Sequence, residues 1–236
     1  MKIALIGAMP EEILPLIERL GLKPYEKISM VQLYRGKVGK VEIFACTGGI
    51  CKTNMAVSTQ VLIRESGCEQ IILIGVSGAL DPELDIGDIV VAEALVHHDV
   101  SDEILTKFHP YMKESWIYSD ERITGDVIES TKGEVKTYKV LKGRVATGEF
   151  FVHDERREEI VRNFDADCVD MESAAFAQVC YLNDLPFTVI RSMSDKANED
   201  SHRSFKENYK TAALNSMDLI ETYIFKRLID RENLRT

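Results

Sequence analysis

Three places in this chain set an acid at the mouth of an apolar run: Glu11 and Glu12 after "KIALIGAMP", Asp170 and Glu172 in "VDMESAAFAQVC", and Asp195 closing "PFTVIRSMSD". Burying an ionised carboxylate is costly unless it is paired, hydrogen-bonded or used. Carboxyls so placed suit general acid–base work, one kept protonated to give a proton and another ionised to take one. Arg191 ends the apolar run "PFTVIR". An arginine in a buried β pattern needs a counter-charge, and a nearby carboxylate is the obvious partner.

Each of these residues also has a plainer role. Glu11 and Glu12 fall in the first turn of a helix, where acids complement the helix dipole on a solvated face. Asp195 suits a helix N-cap. Phe150 and Phe151, after "ATGE", suit a core as well as a ligand platform. Alternation along "VDMES" sends Asp170 and Glu172 to one side and Met171 to the other, so the pattern does not choose between the two acids.

The elements that must carry these residues alternate in type. Strand patterns "KIALIGA", "QIILIGVSGAL", "GDIVVAEALVHHDV", "YKVLKGRVATGEFFV", "ADCVDME" and "PFTVIRSMSD" are interleaved with helical ones. The helices are "PEEILPLIERLG", "KTNMAVSTQVLIRES", "DERITGDVIESTK", "DERREEIVRNF", "SAAFAQVCYLND" and the long amphipathic "SFKENYKTAALNSMDLIETYIFKRLI". "ISMVQLYRGKV" and "KVEIFACTGG" predict a hairpin about a Gly36–Gly39 turn, and residues 101–118 read as a long, aromatic, irregular loop. With no linker or repeat, the pattern predicts one domain over residues 1–236: an α/β fold of three layers around a mixed, mostly parallel twisted sheet. Ligands in such sheets bind where strands end, here at "AMPEE", "TGGICK", "GVSGAL", "TGEFF", "DMES" and "RSMSDKA".

Composition narrows the chemistry. The net charge is −10, from 29 basic and 39 acidic residues, without a long Lys/Arg run. That argues against nucleic acid, whose binding is driven by clustered cations, and leaves an uncharged nucleoside open. The five cysteines lack a C-x-x-C spacing and are expected to be free thiols in a reducing cytoplasm. Cys51, with no histidine near it, reads as a small apolar filler. His97 and His98 are adjacent on a strand and point to opposite faces, so no metal site is expected. The glycine turns match neither nucleotide-binding fingerprint. The opening apolar run is too short for a signal peptide or a membrane span.

Taken in order, "MKIALIGAMPEEI", "TGEFFV", "VDMESAAFAQVC", "PFTVIRSMSDKA" and "SHRSFKEN" resemble the 5′-methylthioadenosine/S-adenosylhomocysteine nucleosidases of the purine nucleoside phosphorylase/uridine phosphorylase superfamily. The resemblance spans essentially the whole chain and is weakest over residues 101–138. It implies a nucleoside phosphorylase-like fold, hydrolysis of an N-glycosidic bond with release of adenine, a homodimer, and no cofactor or metal. It gives Asp195 the proton for adenine N7, Glu12 the activation of water, Glu172 the ribose hydroxyls, and Arg191 the positioning of Glu12 and the water. Ser194 would orient Asp195. Phe151 would stack on adenine and Val152 would offer backbone hydrogen bonds to its edge. Met9, Ile50, Met171 and Phe205 would wall the ribose and the 5′-thio tail. Asp170 is left as a capping or structural acid. The homodimer would place "LTKFHPYMKESWIY" against the partner, since that stretch is richer in apolar residues than a monomer's loop should be.

The chain departs from the family pattern at Val76, Cys51, Asp170 and Pro10, where a hydroxyl, a glycine, a glutamate and another acid are usual. Phosphorolysis is the nearest rival, yet it needs cations beside C1′, and "TGGICKTN" offers only Lys52. A nucleosidase for aminofutalosine would share every catalytic residue. A non-catalytic nucleoside sensor, or a purely structural domain, would need neither acid nor base.

Overall fold

The computed structural model describes residues 1–134, 136–153 and 155–229. β1 (Lys2–Gly7) buries every residue after Lys2, as an apolar run flanked by strands on both sides must. Pro10 opens α1 (Pro10–Arg19) and the helix turns Ile13, Leu16 and Ile17 inward; proline suits that first position because its missing N–H has no intrahelical acceptor there. The edge of the sheet is a meander of β2 (Lys23–Ile28), β3 (Val31–Val38) and β4 (Val41–Thr47). β2 is a strand that periodicity does not reveal: it is almost wholly exposed and carries Pro24, which suits an edge. The expected turn shifts as well. Gly36 lies inside β3 and the chain reverses at Gly39–Lys40.

β4, β1, β5 (Gln70–Ala79) and β10 (Phe187–Asp195) run parallel, side by side. β10 then pairs antiparallel with β6 (Ile89–His97), β6 parallel with β8 (Val140–Thr147), and β8 parallel with β9 (Cys168–Asp170). β9 returns antiparallel to β5 through Gly78 and Val169. The mixed sheet thus curls until β5, β10, β6, β8 and β9 close a ring.

Helices cover both faces. α2 (Lys52–Ser66) and α6 (Ser173–Leu182) bury Met55, Leu62, Phe176 and Cys180 against one. α1, α4 (Glu121–Ser130) and α7 (Ser201–Tyr223) bury Leu16, Val127, Met217 and Ile220 against the other. α5 (Arg156–Phe164) caps a smaller cluster through Ile160, and α7 runs on into a π-helical segment at Ile224–Ile229. The stretch read as an irregular loop holds a short helix, α3 (Asp102–Lys107), and a two-residue strand, β7 (Ile117–Tyr118). Asp102 and Glu103 in the first turn and Lys107 in the last match the dipole of so short a helix, too few residues for a period to show. Among the described residues, no helix is long and apolar enough to cross a membrane.

Candidate active site

The carboxyl ends of β1, β5, β8, β9 and β10 surround one cavity of about 240 Å³. Glu12 enters it from the first turn of α1. One carboxylate oxygen accepts the Met9 N–H at 2.8 Å, a capping box that satisfies the helix start. The other accepts the Val76 N–H at 2.9 Å, at the end of β5. The solvated first-turn role expected of acids here falls to Glu11, which is exposed, whereas Glu12 is 1% exposed. Burial pushes its carboxyl above the ordinary carboxylate range, against the pull of Arg191 and of the backbone donors. Val76 meets Glu12 through its backbone, so the absence of a side-chain hydroxyl at this position costs Glu12 no anchor.

Arg191 is fully buried beneath the cavity floor. Its Nε lies 2.7 Å from Asp170, one Nη lies 3.3 Å from Glu172, and the other stands 3.9 Å from Glu12. Its main partner is therefore Asp170, the acid that the sequence left as a structural cap. Asp170 also accepts from Thr147 at 2.6 Å and from the Ser173 hydroxyl, so it fixes the guanidinium to β8 and to the start of α6. Burial opposes the Arg191 charge, but the three carboxylates outweigh it and hold the guanidinium more firmly protonated than usual. One cation facing three acids leaves the cluster electron-rich. Burial pushes Glu172 up to about 7, against Arg191 and with Asp170 and Glu12 adding to the rise.

Asp195 is the last residue of β10, not the N-cap of the next helix; that position belongs to Asp200. Its Oδ1 accepts the Ala197 N–H at 2.9 Å, and its Oδ2 lies 2.8 Å from the Ser194 hydroxyl. Ser194 Oγ is also 3.2 Å from the Ser77 carbonyl. A hydroxyl has one proton and two lone pairs, so Ser194 can donate to Ser77 while accepting from a protonated Asp195. Burial raises the Asp195 carboxyl above its usual range, opposed by the Ala197 N–H and Ser194.

Two strained residues aim these carboxylates. Cys51 has φ +75° and ψ 159°, and its N–H donates to Glu172 Oε1 at 2.9 Å. Ala197, with φ +50°, supplies the donor to Asp195. Non-glycine residues at positive φ cost free energy and persist where the surroundings impose them. Cys51 is therefore more than apolar filler.

The apolar wall is formed by Met9, Ile50, Phe151, Val152, Met171 and Phe205, and Ser194 joins Glu12, Glu172 and Asp195 on the polar side. All the candidate residues line the cavity except Arg191, which acts from below. Lys52, the one cation on its turn, lies 2.7 Å from Asp99, whose other oxygen accepts the Glu149 N–H. His97 meets Gln178 at 3.0 Å while His98 packs on the Phe150 ring, and among the described residues no cluster is built to hold a metal. Sequence reasoning did not single out Ser173 and Ala197, and it left Asp170 as a structural acid rather than the partner of Arg191. Asp170 and Ser173 contribute through Arg191 on β10, which no local pattern signals, and Ala197 contributes through a positive φ that its residue type does not announce.

The geometry has close relatives. Residues 2–224 match the family model of the phosphorylase superfamily. The chain is 35% identical to the 5′-methylthioadenosine/S-adenosylhomocysteine nucleosidase of Anoxybacillus flavithermus, over 95% of this chain and 98% of that one. It is 35% identical to the aminodeoxyfutalosine nucleosidase of Campylobacter jejuni, over 96% and 97%. Among solved structures, the 5′-methylthioadenosine/S-adenosylhomocysteine nucleosidase of Neisseria meningitidis in complex with methylthio-immucillin-A superposes with a TM-score of 0.88 at 31% identity, over 94% of this chain and 98% of that one.

Proposed function

The chain belongs to the 5′-methylthioadenosine/S-adenosylhomocysteine nucleosidase family of the phosphorylase superfamily, and from that premise we propose that it hydrolyses the N-glycosidic bond of methylthioadenosine and adenosylhomocysteine. Asp195 delivers a proton to adenine N7, and the C1′–N9 bonding electrons leave with the base. The ribosyl cation forms beside Glu172, which holds the ribose hydroxyls and opposes the developing charge. A water between Glu12 and C1′ gives its proton to Glu12 and its oxygen to C1′. The products are adenine and the 5′-thioribose, and solvent exchange returns both carboxyls to their starting states. Arg191 and Asp170 hold Glu172 and Glu12 in place, Phe151 carries the base, and Val152 meets its edge through the backbone.

One observation carries hydrolysis over phosphorolysis. The described residues lining the cavity include Glu12, Asp170, Glu172 and Asp195 and not one lysine or arginine. A phosphate dianion beside C1′ would meet acids and no counter-charge. Lys52 is tied to Asp99 and Arg191 to its three acids. The apolar tail wall of Met9, Ile50, Met171 and Phe205 favours a thioether substituent. The test is adenine release from methylthioadenosine without phosphate, with adenosylhomocysteine and aminodeoxyfutalosine in competition to rank the 5′ groups.

The same reading makes the enzyme a cytoplasmic homodimer that serves methionine salvage and needs no cofactor. Ile104, Phe108 and Tyr111 are 56%, 64% and 66% exposed, an apolar group on the segment that the family places against a partner, and Ile50 at the cavity is itself 46% exposed. Size-exclusion chromatography with light scattering tests this: a dimer is expected, and a monomer at micromolar concentration contradicts it.

A further inference from the structure

Phe151 has two faces, and only part of its surface belongs to the cavity. The His202 imidazole, which takes no part in the cavity wall, lies flat against it with centroids 4.6 Å apart and planes 21° from parallel. Phe205 meets the Phe151 edge at 5.7 Å and 79°, and Tyr209 stacks on Phe205 at 5.1 Å. His153 packs on His202 from the Phe151 side of the chain, at 4.8 Å. His202 thus covers one ring face of a residue that lines the cavity beside Phe205.

The same turn of α7 reaches the proposed acid. The Ser204 hydroxyl donates to the Ser194 carbonyl at 3.2 Å, one residue before Asp195. One helical turn therefore supports both the surface proposed to carry the base and the group proposed to protonate it.

We propose that His202 is a positioning residue for the nucleobase: it backs the Phe151 ring, so that a purine arriving on the cavity side completes a three-layer stack of purine, Phe151 and His202. The inference rests on the reading that adenine binds against Phe151. Offset stacking needs a ring held at a set angle, and Phe151 sits outside any strand or helix, between β8 and α5. Its angle is set by its neighbours, and His202 is the only ring among the described contacts that lies parallel to it. A flat ring at position 202 should suffice, whereas a methyl group should not.

The experiment compares wild type, His202→Ala, His202→Phe and Phe151→Ala, reading KM and kcat for methylthioadenosine and calorimetric Kd for adenine. His202→Ala is expected to raise KM and the adenine Kd about threefold to tenfold, the range for one lost aromatic stacking partner, with kcat within about twofold. His202→Phe should restore both constants. Unchanged KM and Kd in His202→Ala would overturn the inference, and so would equal losses in His202→Ala and His202→Phe. Unchanged constants in Phe151→Ala would overturn the base pose itself, and wild type releasing no adenine would overturn the activity; neither result resembles a failure confined to His202.

Discussion

Glu12 Oε1 and Arg191 Nη1 stand 3.9 Å apart above the α-carbon of Gly75. The separation is too long for a hydrogen bond and short enough for strong electrostatic coupling in a buried setting. It exists because position 75 has no side chain. A Cβ there would lie 2.5 Å from the Glu12 oxygen and closer still to the guanidinium. Gly78, three residues on, gives Asp195 the same room, with a would-be Cβ 2.9 Å from its Oδ1.

Gly75→Ala is therefore expected to lower kcat by at least about 100-fold, the scale of losing an aligned general base, and to cost about 1–3 kcal/mol of stability through overpacking. Adenine release and thermal unfolding measure the two. A variant with native turnover would show that Glu12 and Arg191 need not hold this geometry.

Glu12→Gln and Asp195→Asn keep the shape of each side chain and remove its proton chemistry. Each is expected to lower kcat by at least about 10²-fold while leaving the far-ultraviolet circular dichroism unchanged. Near-native turnover in either would reassign that residue.

Glu172 gives a pH signature in stability. Its carboxyl is pushed up to about 7 in the fold and returns to about 4.3 in the unfolded chain. A group whose folded pKa is raised stabilises the fold below the unfolded value, and that contribution is lost as pH rises through the folded one. Between pH 5 and pH 8, the Tm of Glu172→Gln should therefore climb relative to wild type, because glutamine never ionises. A constant or falling difference would contradict the environment described for Glu172.

Cys51 serves the site through its backbone, so Cys51→Gly should keep kcat within about threefold. Relief of a positive-φ residue is worth about 1–3 kcal/mol, against about 0.4–1 kcal/mol for the added freedom of glycine in the unfolded chain. A Tm rise of about 2–4 °C is the expected net result for a chain of this size. A fall in Tm would mean that the thiol contributes packing that outweighs the strain.

The sequence made the alternating elements and the charges at the strand ends legible because buried strands and first-turn acids are local patterns. The resemblance then chose Glu12 over Glu11 and Glu172 over Asp170. Three features depend on pairings remote in sequence and had no local signal. Asp170 binds Arg191 across 21 residues, the ring closes when β9 returns to β5, and β2 exists because β3 offers it an edge. The plainer N-cap role open to Asp195 falls to Asp200 instead, because Ala197 at positive φ delays the helix until Ser201.

In the proposed hydrolysis, water and not phosphate attacks C1′. Turnover of methylthioadenosine in ¹⁸O-water, with and without phosphate, read by mass spectrometry of the sugar, tests it directly. One ¹⁸O at C1 of the 5′-thioribose is expected, at a rate that phosphate does not change. A sugar 1-phosphate, formed only when phosphate is present and carrying no label at C1, would contradict it.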